Sequence, residues 1–140
     1  MKALYTAEAL TTGDGRDGHA RSSDGKVDLQ LAIPKEMGGS GDGTNPEQLF
    51  AIGYAACFHS ALRRVGRQEK ADISDSAVGA RVSIGQLDSG GFGLAVVLEI
   101  TLPNVDHATA LRLAEKAHEV CPYSNATRGN VDVDLVVTDD

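Results

Sequence analysis

Two cysteines, Cys57 and Cys121, are the only sulfur nucleophiles in this chain of 140 residues. They stand 64 positions apart, so neither belongs to a Cys-x-x-Cys motif and any pairing must be made by the fold. Three readings are open. As small hydrophobes they could fill a core, since free cysteine is among the most buried residue types. Together with His59, two residues after Cys57, and His118, three before Cys121, they could supply two Cys and two His to a metal. Helical geometry weakens this reading. At about 100° per residue, His118 and Cys121 share a face, whereas Cys57 and His59 point about 200° apart, and one tetrahedral ion cannot easily use both. As a redox pair, one thiol would attack and the other resolve. That chemistry needs a thiolate, and burial alone raises a thiol's pKa, so a cation must come from elsewhere in the chain.

The element that must position Cys57 begins at Thr44-Asn45-Pro46-Glu47-Gln48. Asn45 suits the N-cap, Pro46 suits the first helical position because its missing N–H would be unpaired there anyway, and Gln48 can reach back to the cap. Leu49, Phe50, Gly53, Ala56, Cys57, Ala61 and Val65 then recur at steps of three and four, which predicts one buried face with Cys57 on the core side and a stop at Gly66. Asp106 is expected to cap a second amphipathic helix with a stripe of Ala110, Leu113, Ala114, Ala117 and Val120, ending near Cys121-Pro122.

Alternation predicts strands over 2–9 and 27–33, an antiparallel pair over 78–86 and 93–102 joined through Ser89-Gly90-Gly91, and a last strand over 131–137. Gly13-Asp14-Gly15-Arg16-Asp17-Gly18 formally matches a dinucleotide-binding fingerprint. That motif needs a helix to open at the glycines, and here His19-Ala20-Arg21-Ser22 leads toward another strand, so a hairpin-type turn with Arg16 at its tip is expected. Gly38-Gly39-Ser40-Gly41-Asp42-Gly43 lacks the Lys of a phosphate-binding loop and reads as a flexible connector. Strands and helices joined by hairpins rather than crossovers imply an α+β architecture.

The length fits one domain over 1–140, and with only 4% aromatic residues its core must be built from Val, Leu, Ile and Ala. A net charge of -7 argues against nucleic acid or an anionic membrane as partners. The N-terminal residues carry no apolar signal core and no apolar run approaches the roughly 20 residues of a membrane span, so a cytoplasmic location is expected. Two cysteines in a reducing compartment point to catalysis, redox activity or metal binding rather than a permanent staple.

Beyond composition, Thr44 to Phe50, Gly53-Tyr54 with Ala56-Cys57-Phe58, and Ala117-His118 with Val120 through Asn130 resemble the organic hydroperoxide resistance proteins, a branch of the OsmC-like family. The early Gly15-Arg16-Asp17-Gly18 and the Gly90-Gly91-Phe92-Gly93 turn match as well, so the resemblance covers nearly the whole chain. His59 is a departure, standing where an apolar or small residue is expected. The resemblance implies a thiol peroxidase acting on alkyl and fatty acyl hydroperoxides, with Cys57 attacking, Cys121 resolving, and Arg16 and Glu47 as the polar pair around Cys57. It implies an intertwined homodimer in which antiparallel half-sheets complete each other around central helices. No bound cofactor or metal is expected; the reductant would be an external dithiol, a lipoyl group on a partner protein. Phe50, Phe58 and Phe92 are candidates for an apolar substrate pocket, or equally for plain core. Ten residues on one helix span about 15 Å, so Glu47 is expected to serve Cys57 of a second chain rather than its own. The competing function is a non-catalytic OsmC-like protein that binds a small ligand or a metal.

Overall fold

The computed structural model describes residues 1–138; Asp139 and Asp140, the end of the single domain expected over 1–140, lie outside the described residues. The fold is α+β, and it forms two compact units, Met1–Leu49 and Phe50–Asp140, whose boundary falls one turn inside a long helix.

The first unit is a small antiparallel sheet of β1 (Ala9–Thr12), β2 (His19–Ser22) and β3 (Asp28–Gln30), in the order β1-β2-β3. Thr12 pairs with His19 across the turn that carries Arg16, which is the hairpin expected from its Gly and Asp content. No helix opens at those glycines beyond a single 3-10 turn at Gly15–Asp17. The expected strand over 2–9 is corrected to the four residues of β1, every one of them exposed. The strand expected over 27–33 is shortened to β3 because its later backbone donors turn elsewhere: Leu31 N–H donates to Gly18 O, Ala32 N–H to Thr44 O, and Ile33 N–H to the Asp17 carboxylate. The glycine-rich segment is tied back on itself, with Gly39 N–H donating to Pro34 O and Gly41 N–H to Ile33 O.

Helix α1 (Pro46–Gln68) starts where the cap residues place it, since Asn45 Oδ1 accepts from Gln48 N–H at 2.9 Å. The Gln48 side chain takes Thr44 Oγ1–H at 2.8 Å instead of reaching the cap backbone. The helix also runs past Gly66. A β-carbon there would come within 2.2 Å of Ile73 Cγ2, so Gly66 serves close packing, and the chain leaves the helix at Lys70, whose φ is 57°. The buried face is rotated from the expected one: Tyr54, Phe58, Ala61, Leu62, Val65 and Gly66 are buried, Ala56 is exposed, and Cys57 is half-buried at the margin. Tyr54 and Phe58 explain the rotation. They are one turn apart, remove far more apolar area from water than Gly53 and Ala56, and so decide which side faces inward.

The second unit sets its part of α1 with α2 (His107–Val120) and α3 (Pro122–Thr127) among strands β4 (Ala77–Gln86), β5 (Phe92–Thr101) and β6 (Asp132–Thr138), ordered β4-β5-β6. Strands β4 and β5 form the expected hairpin, from Ala77 opposite Thr101 to Gln86 opposite Phe92. Strand β6 is parallel to β5, with Val96 opposite Val133. Hairpins alone therefore do not connect this unit: a parallel neighbour cannot follow a tight turn, so α2 and α3 form a crossover. Asp106 caps α2, its carboxylate accepting from Thr109 N–H at 2.8 Å. Val120, placed on the α2 stripe by spacing, is 52% exposed, and Cys121 takes the buried position in its stead. The core joins Tyr54, Phe58 and Leu62 to Val96, Leu98 and Ile100 of β5 and Leu113, Ala114 and Ala117 of α2. No helix among the described residues is long and apolar enough to cross a membrane.

Candidate active site

In the second unit the fold brings together the two sulfurs that the sequence leaves 64 positions apart. Cys121 Sγ donates toward Cys57 Sγ at 3.6 Å, and both residues are free thiols. Cys121 is fully buried at the junction of α2 and α3, while Cys57 keeps part of its surface open. This asymmetry suits one thiol that meets an outside molecule and one that meets only its neighbour. Burial pushes the Cys57 thiol up, and so does the adjacent Cys121, whereas the main-chain N–H of Tyr123 opposes them by hydrogen bonding to the sulfur. Left to these groups, Cys57 is a poor thiolate.

Aromatic rings wall the same region. Tyr123 lies 5.6 Å from Tyr54 and 6.2 Å from Phe50, centroid to centroid. Gly53 makes room for it, since a β-carbon at 53 would stand 2.8 Å from the Tyr123 hydroxyl. Beneath the rings, Tyr54 Oη is 2.8 Å from Ser124 Oγ and 3.0 Å from Thr127 Oγ1, and His118 Nδ1 is 2.7 Å from Ser124 Oγ. Burial, then the nearby Arg128 charge, lowers the His118 pKa. Sequence reasoning missed Tyr54, Ser124 and Thr127. The available signal was spacing, because Tyr54 precedes Cys57 and Ser124 follows Cys121 by three residues each.

The other expected pair meets within the first unit. Arg16 Nη1 donates to Glu47 Oε2 at 2.9 Å and Nη2 to Oε1 at 2.8 Å, a two-point fork that fixes the plane of the guanidinium. The Arg16 bond holds the Glu47 carboxyl below its ordinary range, and Glu47 in turn raises the Arg16 pKa. Glu47 lies in the first turn of α1, where the helix dipole also favours a carboxylate. The turn presenting Arg16 is pinned by Asp17, which accepts from Ile33 N–H at 2.9 Å.

The three phenylalanines separate. Phe50 stands against Tyr54 at 6.2 Å, Phe58 is fully buried in the core, and Phe92 is 66% exposed at the turn end of the β4–β5 hairpin. His59 sits apart from any metal-like cluster, its Nε2 bonded to Ser76 Oγ at 2.9 Å. Among the described residues, no group of three or more His, Cys, Asp or Glu side chains is placed to hold a metal ion.

An α+β chain with these caps and paired thiols falls in a known class: residues 39–136 match the family model for OsmC-like protein, and the chain belongs to that family. Its similarity extends to particular members. It is 54% identical over 138 residues to the organic hydroperoxide resistance protein of Xanthomonas axonopodis pv. citri, covering 97% of this chain and 96% of the relative. It superposes with a TM-score of 0.94, at 50% identity and over 100% of both chains, on an organic hydroperoxide resistance protein from Elizabethkingia anophelis. A similar protein from Legionella pneumophila gives a TM-score of 0.93 at 50% identity, over 98% of this chain and 99% of that one.

Proposed function

We propose that this protein detoxifies organic hydroperoxides as a cysteine-based peroxidase in oxidative stress defence in the cytoplasm. The observation that carries the reading is the thiol pair, with one partly open sulfur 3.6 Å from one buried sulfur. The names of its relatives support the substrate class, and the half-buried Cys57, packed with Phe50 against the apolar core, suits an alkyl or fatty acyl chain.

In this reading the Cys57 thiolate attacks the peroxide oxygen distal to the organic group. An S–O bond forms as the O–O bond breaks, the electron pair leaves on the alkoxide, and a proton completes the alcohol. Sulfur has then given up two electrons and stands as a sulfenic acid. Cys121 displaces hydroxide from it, the S–S bond forms, and the Cys121 proton leaves in water. An external dithiol, a lipoyl group on a partner protein, then reopens the bridge by exchange.

A thiolate needs a cation, and Arg16 is the residue for it: a guanidinium stabilises the anion and polarises the departing oxygen, while Glu47 fixes its plane. Since ten residues of α1 separate Glu47 from Cys57, we assign the Arg16–Glu47 fork to Cys57 of a second copy, in a homodimer. The test is a thiol count before and after one equivalent of tert-butyl hydroperoxide. Both thiols should vanish in the wild type, and Cys57→Ser should lower peroxide turnover by at least about 10³-fold. Intact thiols after the challenge would sink the proposal in favour of a non-catalytic binding protein.

A further inference from the structure

The polar chain behind the thiols has no part in the chemistry just described, yet its three hydroxyl groups are buried. Tyr54 and Ser124 are 0% exposed and Thr127 is 4% exposed, amid a core that is otherwise apolar. An apolar set at these positions would fill the space without the desolvation cost of the hydroxyls, so their presence calls for a purpose other than burial. Every hydroxyl is satisfied. Thr127 Oγ1–H donates to the Ser124 carbonyl at 3.3 Å, which leaves its oxygen free to accept from Tyr54. The ordering that keeps all four bonds then runs in one direction, from His118 Nδ1–H to Ser124 Oγ–H, to Tyr54 Oη–H, to Thr127 Oγ1–H.

The elements joined are those that hold the sulfurs. Tyr54 lies one turn before Cys57 on α1, His118 is in the last turn of α2, and Ser124 and Thr127 are on α3, so both sides of Cys121 are tied to the α1 turn that precedes Cys57. The Tyr123 N–H that bonds Cys57 belongs to the same segment. Closing a disulfide requires the sulfurs to approach from 3.6 Å to about 2.05 Å, and a misplacement of about 1 Å can cost orders of magnitude in rate.

We propose that Tyr54 is a positioning residue for disulfide closure, its hydroxyl, held by Ser124 and Thr127, keeping Cys121 Sγ in reach of Cys57 Sγ. This rests on the reading of Cys57 as attacking thiol and Cys121 as resolving thiol, but not on peroxide as substrate, and the test separates the two. The probe is an aromatic disulfide that releases a coloured thiolate. Cys57 attacks it, forming a mixed disulfide and releasing one thiolate; Cys121 then attacks Cys57 Sγ, forming the internal disulfide and releasing the second.

For Tyr54→Phe the first release should stay within about twofold of wild type, while the second slows roughly tenfold. Thr127→Val should slow the second release in the same direction by roughly threefold, and Thr127→Ser should restore it. A general loosening of the fold would not split the two releases in this way. Second release at the wild-type rate in both Tyr54→Phe and Thr127→Val overturns the proposal, as does equal slowing of both releases. If Tyr54→Phe does not fold, the contrast of Thr127→Val with Thr127→Ser decides. A wild-type protein that closes its disulfide with this probe yet ignores hydroperoxide would end the peroxidase reading and leave the role of Tyr54 standing.

Discussion

The two units of this chain, each taken by itself, are built on opposite terms. Phe50–Asp140 encloses an apolar core with the thiol pair at its edge, and within that unit Cys57 is pushed away from its thiolate by burial. Met1–Leu49 has a three-stranded sheet of short strands, of which β1 is exposed along its whole length, and its well-fixed polar feature is an ion pair. The thiol pair lies in one unit, and the guanidinium that the proposed function gives to a thiolate lies in the other. A sheet this small is poorly stable on its own, and β1 presents an open edge. The second unit, by contrast, holds itself together through its interior.

The sharpest way to break this contrast is to remove the cation. Arg16→Ala should lower the rate of hydroperoxide reduction by about 10²–10³-fold and raise the Cys57 pKa, read from the pH dependence of its alkylation. An unchanged alkylation profile would show that the first unit contributes nothing to the thiol. Next in size is a pair of core and surface truncations. Leu98, fully buried, should cost about 2–5 kcal/mol as Leu98→Ala in urea unfolding. Leu10, 69% exposed on β1, should change unfolding by no more than about 0.5 kcal/mol as Leu10→Ala. The same Leu10→Ala should weaken self-association in sedimentation, and a variant that associates as wild type would count against β1 as an assembly surface.

The smallest effect sharpens the comparison through pH. His59 and His118, both in the second unit, have pKa values lowered chiefly by burial. The unfolded chain binds protons there that the folded chain excludes, so their contribution is complete above the ordinary histidine pKa and declines as pH falls below about 6.5. Glu47, in the first unit, is lowered by Arg16, so its contribution is present above the ordinary carboxylate range and is lost only as pH falls through its folded value. Urea midpoints should therefore begin to drop between pH 7.5 and 5.5 in the wild type, and less so in His118→Asn, which cannot take up the proton.

Much of the fold was legible because its signals are local. The Asn45-Pro46 start of α1, the Asp106 cap and the β4–β5 hairpin depend on residues within a few positions of each other, and all three stand as read. The expected strand over 2–9 failed because alternation says nothing about whether a partner strand exists. Helix α3 went unread because it spans only Pro122–Thr127 and its stabilising contacts, those of Ser124 and Thr127 with Tyr54, are long-range. The face of α1 was misjudged by about one residue because small Gly53 and Ala56 were given the same weight as Tyr54 and Phe58.

The order of residues alone determined where the two long helices begin, that one cysteine lies within a helix and the other at a helix end, and which types of group could serve a thiolate, since capping and periodicity act over a turn or two. Only the tertiary structure decided that β6 runs parallel to β5, that the sulfurs meet at 3.6 Å, that Arg16 forks onto Glu47, and that Tyr54 ties the segment behind Cys121. Each of these joins residues far apart in the chain, and such contacts are chosen by how the core packs as a whole.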